Sequence, residues 1–359
     1  MENERKLATI RRIKEITPIE GADKIELCHI DGWQCVSQKG NFEVNSLAVF
    51  FEIDSLLPIK EPFLFLESRG RKKLDDGTEG YRLRTIKLKG VLSQGLLLPL
   101  LDFVNDLPEM DLQTIKENKD SFVGVDLTES LGIKKYEPPV PAQLRGHVKG
   151  SFPSFLRRTD EERIQNLPDY FTKYEDEYFE ETEKLDGTSS TYFLNNGEFG
   201  ICSRNINFKI TDENNDNTYF QMEKKYNIKE TLEKIGKNLS IQGEICGPGI
   251  QKNRLGLKEV CLYIFKIYDI DLQRYLTNPE KDEYMDKYFS HIPHVPLLGL
   301  VKIFKEYPTM DSILEHVKGK SILNKDKKRE GCVYKSCNTF YNQVISFKVI
   351  NNQYLLDEE

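Results

Sequence analysis

The chain has 359 residues, 51 of them basic and 58 acidic, giving a net charge of -7, with 38% hydrophobic residues, 17 Tyr and 20 Phe. That length and apolar content suffice for two domains with cores of their own and exclude global disorder. The acidic balance excludes a basic coat over the whole surface, so any grip on nucleic acid must come from local patches.

The opening MENERKLATI lacks the apolar core of a signal peptide. From about Leu7 to Ile133 the text reads as short strands punctuated by Gly, Asp and Pro. Alternation is clear in Lys24–Ile30 and in Ser46–Ile53. Short strands at this spacing predict a small barrel or sandwich. Apolar runs such as Gly95–Leu101 are far too short for a membrane span. The Pro-rich stretch Tyr136–Pro141 cannot pair regularly, which places a linker over 136–151 between domains spanning 1–135 and 152–359.

The second half predicts an α+β domain. Asp160 to Asn166 reads as a helix start with Asp160 as cap. Strands flank Lys184, and Asn196-Gly197 is a hairpin turn after Thr191–Leu194. A polar loop over Thr211–Asn217 leads into a helical pattern over Gln221–Lys237. Buried strands are expected over Leu239–Cys246 and Val260–Ile270, then a short helix over Asp311–Val317, a lysine-rich loop and final strands through Tyr334 and Val349. Seven scattered Cys without a C-x-x-C pair point to reduced thiols, and hence to the cytoplasm or another reducing compartment. His291 and His294, separated by Pro293 and without a Cys cluster, read as a surface loop rather than a metal site.

Chemistry concentrates in the second half. Glu183-Lys184-Leu185-Asp186-Gly187 places a lysine two residues before a carboxylate and three before a glycine turn. A lysine nucleophile must shed its proton, which takes a cation, a metal or desolvation. A triphosphate needs cations against its oxygens and carboxylates to hold a metal or its water, and a purine needs an aromatic face. Downstream, in order, stand Ser203-Arg204, Gly243-Glu244, Phe265 in an aromatic strand, Glu330-Gly331-Cys332-Val333-Tyr334-Lys335 and Lys348. Gly319-Lys320-Ser321 lacks the upstream glycine of a P-loop, and Gly247-Pro248-Gly249 is a turn.

That ordered set resembles the covalent nucleotidyltransferase superfamily. Only eleven residues follow Lys348, too few for the trailing OB barrel of DNA ligases and capping enzymes. The extra module is N-terminal. With Ala22–Leu27, Asp31–Val36, Phe51–Pro58, Leu92–Leu96 and Arg158–Asn166, the text is similar to RNA ligases of the RNA ligase 2-like branch that carry an N-terminal OB module, the RNA ligase 5 group.

The resemblance implies an OB-type β-barrel followed by an ATP-grasp-like adenylation domain of antiparallel sheets with flanking helices. It implies Lys184 as the residue that takes AMP from ATP, with Asp186 and Glu330 orienting the water shell of Mg2+ or Mn2+. Glu183 and Gly187 flank the nucleophile at the nucleotide. Glu244 would bind the ribose with Arg204 nearby, Phe265 would stack on adenine, and Arg163, Lys335 and Lys348 would face phosphates. The implied substrate is nicked duplex RNA, or RNA/DNA with an RNA 3'-OH end, in RNA repair, with no membrane and no obligate protein partner. Arg69, Arg71, Lys72, Lys73, Arg82, Arg84, Lys87 and Lys89 are candidate backbone contacts, or else a solvated charge run.

Three positions depart from the family pattern. Ser346 stands where many relatives have the first lysine of a K-x-K pair, Gln353 where some have a carboxylate, and Ser189 where some have an asparagine. Two rival readings follow: an enzyme of the same chemistry that seals DNA or transfers GMP, and a nucleic-acid-binding protein with a degenerate ligase domain.

Overall fold

The computed structural model describes residues 5–106, 119–139, 146–211 and 216–357. The chain divides into two compact units, Met1–Val140 and Pro141–Glu359.

The first unit is built from short antiparallel strands. β1 (Ala8–Arg12) and β11 (Leu96–Pro99) flank β5 (Leu47–Phe51), while β2 (Glu15–Pro18), β3 (Ile25–Ile30) and β4 (Trp33–Gln38) form a meander. The turn between β3 and β4 is Asp31-Gly32, both at positive φ, the backbone that matches the twist of a two-residue hairpin. β6 (Ser55–Leu57), β7 (Lys72–Lys73), β8 (Glu79–Arg82) and β12 (Lys134–Lys135) make a third sheet, and β9 (Ile86–Leu88) pairs with β10 (Val91–Ser93). Two apolar clusters fill this unit. One holds Phe51, Phe63 and Phe103, and the other Trp33, Cys28 and Phe50. Each alternating strand puts its apolar face into one of them.

The second unit holds two antiparallel sheets. One has seven strands in the order β13 (Val148–Ser151), β17 (Ile206–Phe208), β16 (Glu198–Ser203), β15 (Thr188–Asn195), β18 (Leu239–Cys246), β19 (Cys261–Asp269) and β20 (Arg274–Tyr275). The other has four: β21 (Leu297–Val301), β14 (Phe179–Lys184), β22 (Gly331–Phe340) and β23 (Gln343–Ile350). Behind the smaller sheet Phe179, Phe304, Tyr334 and Phe347 form a wholly buried aromatic core. Antiparallel sheets with a few helices match the expected fold class.

The expected hairpin at Asn196-Gly197 forms with both residues at positive φ. Three expectations change. The helical pattern over Gln221–Lys237 is two helices, Thr218–Tyr226 and Ile228–Ile235, because Asn227 takes the left-handed conformation and ends the first. The turn starting at Asp160 is not helical until a 3-10 stretch at Ile164–Asn166, whose N-cap position is Arg163, and Asp160 accepts a hydrogen bond from Arg204. The connector expected over 136–151 gives up its last residues to β13, which pairs with β17. Residues 140–145 of that connector, and 212–215 of the polar loop, lie outside the described residues.

Candidate active site

Strand register assembles the site. Side chains alternate along a strand, so Glu180, Thr182 and Lys184 leave β14 on one face and Phe179, Glu181 and Glu183 on the other. β22 runs antiparallel beside β14 with Lys335 opposite Glu180, Val333 opposite Thr182 and Gly331 opposite Lys184. β23 continues the rows by placing Ser346 opposite Lys335 and Lys348 opposite Val333. One face of this sheet therefore presents two polar rows, and Lys184 ends β14 next to Glu330.

Facing this sheet, the seven-stranded sheet contributes Glu244 from β18, Phe265 from β19 and Thr188 and Ser189 from β15. The cavity between the sheets measures about 280 Å³, and its walls include Lys184, Asp186, Gly187, Glu183, Glu244, Phe265, Arg204, Lys335 and Lys348. Glu161, Thr159, Thr182 and Gln251 also reach it. A volume of this order suits a small-molecule ligand.

Two backbone devices shape the walls. β18 and β19 slip register between Gln242 and Gly243, so that Phe265 is the extra residue of a β-bulge. The bulge frees the backbone carbonyl of Phe265, which accepts a 2.5 Å hydrogen bond from Lys335 Nζ. At Gly187 any β-carbon would lie 2.3 Å from the carbonyl oxygen of Ile245 and 2.7 Å from Cys246 Sγ. Only glycine lets the loop after Lys184 pass this close to β18.

The electrostatics divide the cavity. Lys184 Nζ donates to Glu330 Oε1 at 2.6 Å. Burial disfavours the Lys184 charge, but Glu330, Glu244 and Asp186 outweigh it and hold the ammonium above the ordinary lysine value. Burial pushes the Glu244 carboxyl up to about 8, with Glu330 and Asp186 adding to the effect against the opposing pull of Lys184. Glu330 is likewise raised by burial, and its Oε2 is buried without a hydrogen-bond partner. At the other end, burial together with Lys281 and Lys266 brings Lys335 down to about 7. Lys281 pairs with buried Glu180 at 3.2 Å.

Ser346 belongs to this second group. Its hydroxyl donates to Glu161 Oε2 at 2.5 Å, and Lys266 Nζ, reaching over from β19, lies 3.3 Å from Ser346 Oγ while pairing with Glu161. A cation from another strand thus stands beside the serine that departs from the K-x-K pattern. Burial opposes the Glu161 charge, yet Lys266, the Ser346 hydroxyl and Lys335 together keep its carboxyl below the usual range.

Most of the expected site residues converge on this cavity. Arg204 is more exposed and bonds Asp160 Oδ2 at 2.6 Å. Glu183 turns its carboxylate away to accept from the Ile322 backbone N–H at 2.8 Å. Arg163 is buried and its backbone bridges that of Lys348, but neither it nor Glu330, which reaches the site through Lys184, is among the wall residues. Sequence reading missed Glu161, Lys266 and Tyr354, whose hydroxyl donates to Asp186 Oδ2 at 2.6 Å. Glu161 stands inside the Arg158–Asn166 text and Lys266 adjoins Phe265, so both carried a faint signal, whereas Tyr354 carried none. His291 and His294 are exposed on a loop, and no cluster of three His, Cys, Asp or Glu suited to a metal occurs among the described residues. All seven cysteines are free, and no helix among the described residues is long and apolar enough to cross a membrane.

A family model described as RNA ligase matches residues 177–350, and another described as an OB-fold domain matches residues 7–100. Among solved structures, a lysine-to-alanine mutant of Naegleria gruberi RNA ligase with ATP and Mn is 39% identical, with a TM-score of 0.77 over 98% of this chain and 99% of that one. A glutamate-to-alanine mutant of the same ligase with AMP and Mn is 40% identical, with a TM-score of 0.77 over 99% of both chains. The Naegleria ligase with PPi is 39% identical, with a TM-score of 0.77 over 98% of each chain. No curated protein sequence matches the chain. The fold and the cavity define a ligase with an N-terminal OB-fold domain. The chain belongs to the RNA ligase family and is an ATP-dependent RNA ligase.

Proposed function

We propose that the enzyme seals 3'-OH/5'-phosphate nicks in duplex RNA, or in RNA/DNA with an RNA 3' end, through AMP carried on Lys184, in RNA repair. Lys184 Nζ attacks the α-phosphorus of ATP, the bond to the β-phosphate oxygen breaks, and pyrophosphate leaves. AMP then passes to the 5'-phosphate at the nick. The adjacent 3'-OH attacks that phosphate and AMP departs. The observation that carries this reading is the half-buried Lys184 ammonium, 2.6 Å from Glu330 and lining a cavity walled also by Asp186, Glu244 and Phe265.

In this reading Lys184 rests protonated in a ring of carboxylates and must lose that proton before it attacks. A divalent cation, Mg2+ or Mn2+, would supply positive charge that weakens this hold and neutralises the phosphates. The residues fit such an ion through its water: Asp186 is on the wall, and Glu330, next to Lys184, has a buried Oε2 with no hydrogen-bond partner. Glu244, whose carboxyl burial pushes up to about 8, offers its oxygens to a ribose hydroxyl. Phe265, presented by the bulge, stacks on adenine. Lys335 and Lys348 face the phosphates. Arg204 takes the sugar side at the rim, while Arg163 acts from beside Lys348. Gly187 and Glu183 hold the Lys184 loop, one by its missing β-carbon and the other through Ile322.

The N-terminal domain, over 1–135, would hold the duplex flanking the nick by its backbone. Arg69, Lys72, Lys73, Arg84, Lys87 and Lys89 are exposed candidates, with Lys73 3.8 Å from Glu79, and Arg71 and Arg82 pair with Glu67 and Asp54. Free thiols throughout fit a reducing compartment such as the cytoplasm.

The test is incubation with α-labelled ATP and Mg2+, then denaturing electrophoresis, for wild type and Lys184→Ala. The expected outcome is a labelled band in wild type and none in the mutant. No band from folded wild-type protein that is not already adenylated, with any divalent metal, would sink the mechanism and favour the degenerate binding protein.

A further inference from the structure

We infer that Tyr354 is a positioning residue, fixing the Asp186 carboxylate from behind the cavity wall and so setting how tightly a divalent cation is held. The inference rests on the reading of Asp186 given above. Asp186 lies in the loop between β14 and β15, where no strand pairing holds it. Asp186 lines the cavity and Tyr354 does not. The Tyr354 hydroxyl reaches Asp186 Oδ2 at 2.6 Å from a side chain that is 4% exposed. A buried phenol needs a polar partner, and here that partner is a carboxylate of the site. Engaging one oxygen restricts the rotation of Asp186 and leaves its remaining lone pairs for metal-bound water.

Tyr354 is itself held rigidly. The Arg254 guanidinium lies 3.5 Å from the centre of its ring and also donates to its backbone carbonyl. The helix that carries it, Asn352–Leu356, starts from Asn351, which is wholly buried. The Asn351 backbone N–H donates to the Glu330 carbonyl at 2.8 Å, and its side chain to the Arg329 carbonyl at 3.0 Å. One four-residue segment therefore binds the backbone of Glu330 at one end and the carboxylate of Asp186 at the other. The two carboxylates assigned to one water shell are spaced by it. Partners of this kind commonly change metal affinity ten- to a hundredfold when removed.

The experiment measures Mn2+ binding by electron paramagnetic resonance in the presence of α,β-methylene-ATP. It compares wild type, Tyr354→Phe, Asp186→Asn and the double mutant. Phenylalanine keeps the ring over which Arg254 lies and removes only the hydroxyl. The expected result is Mn2+ binding weaker by roughly tenfold in Tyr354→Phe, no further weakening when it is added to Asp186→Asn, and an unchanged thermal midpoint. Wild-type Mn2+ affinity in Tyr354→Phe beside weakened binding in Asp186→Asn would overturn the inference alone. Equal weakening in both backgrounds would also overturn it, since a general loosening of the fold acts in both. Wild-type affinity in Asp186→Asn would remove the reading of Asp186, and the inference with it.

Discussion

Lys184 and Lys335 sit on neighbouring strands of one sheet and line one cavity, yet their surroundings push their protons in opposite directions. Three carboxylates hold the Lys184 ammonium in its charged form. Burial with Lys281 and Lys266 brings Lys335 down to about 7. The same side chain, only a few residues apart in register, is thus a guarded ammonium at one end and a weakly protonated cation at the other. Proton affinity here is set by the company each lysine keeps. An incoming triphosphate would invert both conditions, because its charge favours the Lys335 ammonium while its metal competes with the Lys184 proton.

The largest effect is expected for Glu330→Gln, which removes both the hydrogen-bond partner of Lys184 and a carboxylate of the proposed water shell. Adenylation should fall on the order of 10²- to 10³-fold. What activity remains should rise with pH along a limb displaced to lower pH, since one carboxylate fewer holds the Lys184 proton. A residual limb at the wild-type position, measured by labelled-AMP transfer across pH, would show that Glu330 does not guard that proton.

Gly187→Ala comes next. Its β-carbon would press on the Ile245 carbonyl, and overpacking of this kind costs about 1–3 kcal/mol. Because the loop carries Asp186, misplacement by about an ångström should slow adenylation by up to roughly a hundredfold. Single-turnover label transfer and thermal unfolding report the two losses separately. Wild-type rates would mean the loop yields without moving the site.

The smallest effect, and the one most specific to the contrast, concerns pH. Phosphate binding favours protonated Lys335, so ATP affinity should be highest below about 7 and fall as pH rises through that value. Lys335→Met should lack this fall, which separates it from the titration of ATP itself. Lys281→Met removes a repelling cation and unpairs Glu180, both of which raise the Lys335 value, so the fall should move to higher pH. Calorimetric titration across pH checks both, and an unmoved limb in Lys281→Met would show that the lysine cluster does not set it.

Much of the lining of the candidate site was legible in the sequence because its parts are local. The Lys184-x-Asp186-Gly187 turn, the strand-ending Glu244 and the Glu330-to-Lys335 strand each announce themselves within a few residues. The hairpin at Asn196-Gly197 and the strand Leu239–Cys246 did so as well, since positive-φ turn residues and β-branched runs are short-range signals. The break at Asn227 was hidden because a helical charge pattern runs straight through it. The helix start expected at Asp160 falls four residues later, at Ile164, and Asp160 instead meets Arg204, 44 residues away in the chain.

By itself, then, the order of motifs determined that this chain carries an RNA ligase domain, with a lysine set among carboxylates, following an N-terminal β module in sequence. Tertiary structure alone decided how those groups act on one another. It presented Phe265 through a bulge, brought Lys266 beside Ser346 across 80 residues and tied Tyr354 to Asp186 across 168. It also set the opposite proton affinities of Lys184 and Lys335. The physical reason is common to all four. Burial and Coulombic coupling act through space over a few ångströms, and no periodicity in the chain records which distant side chains the fold will bring within that range.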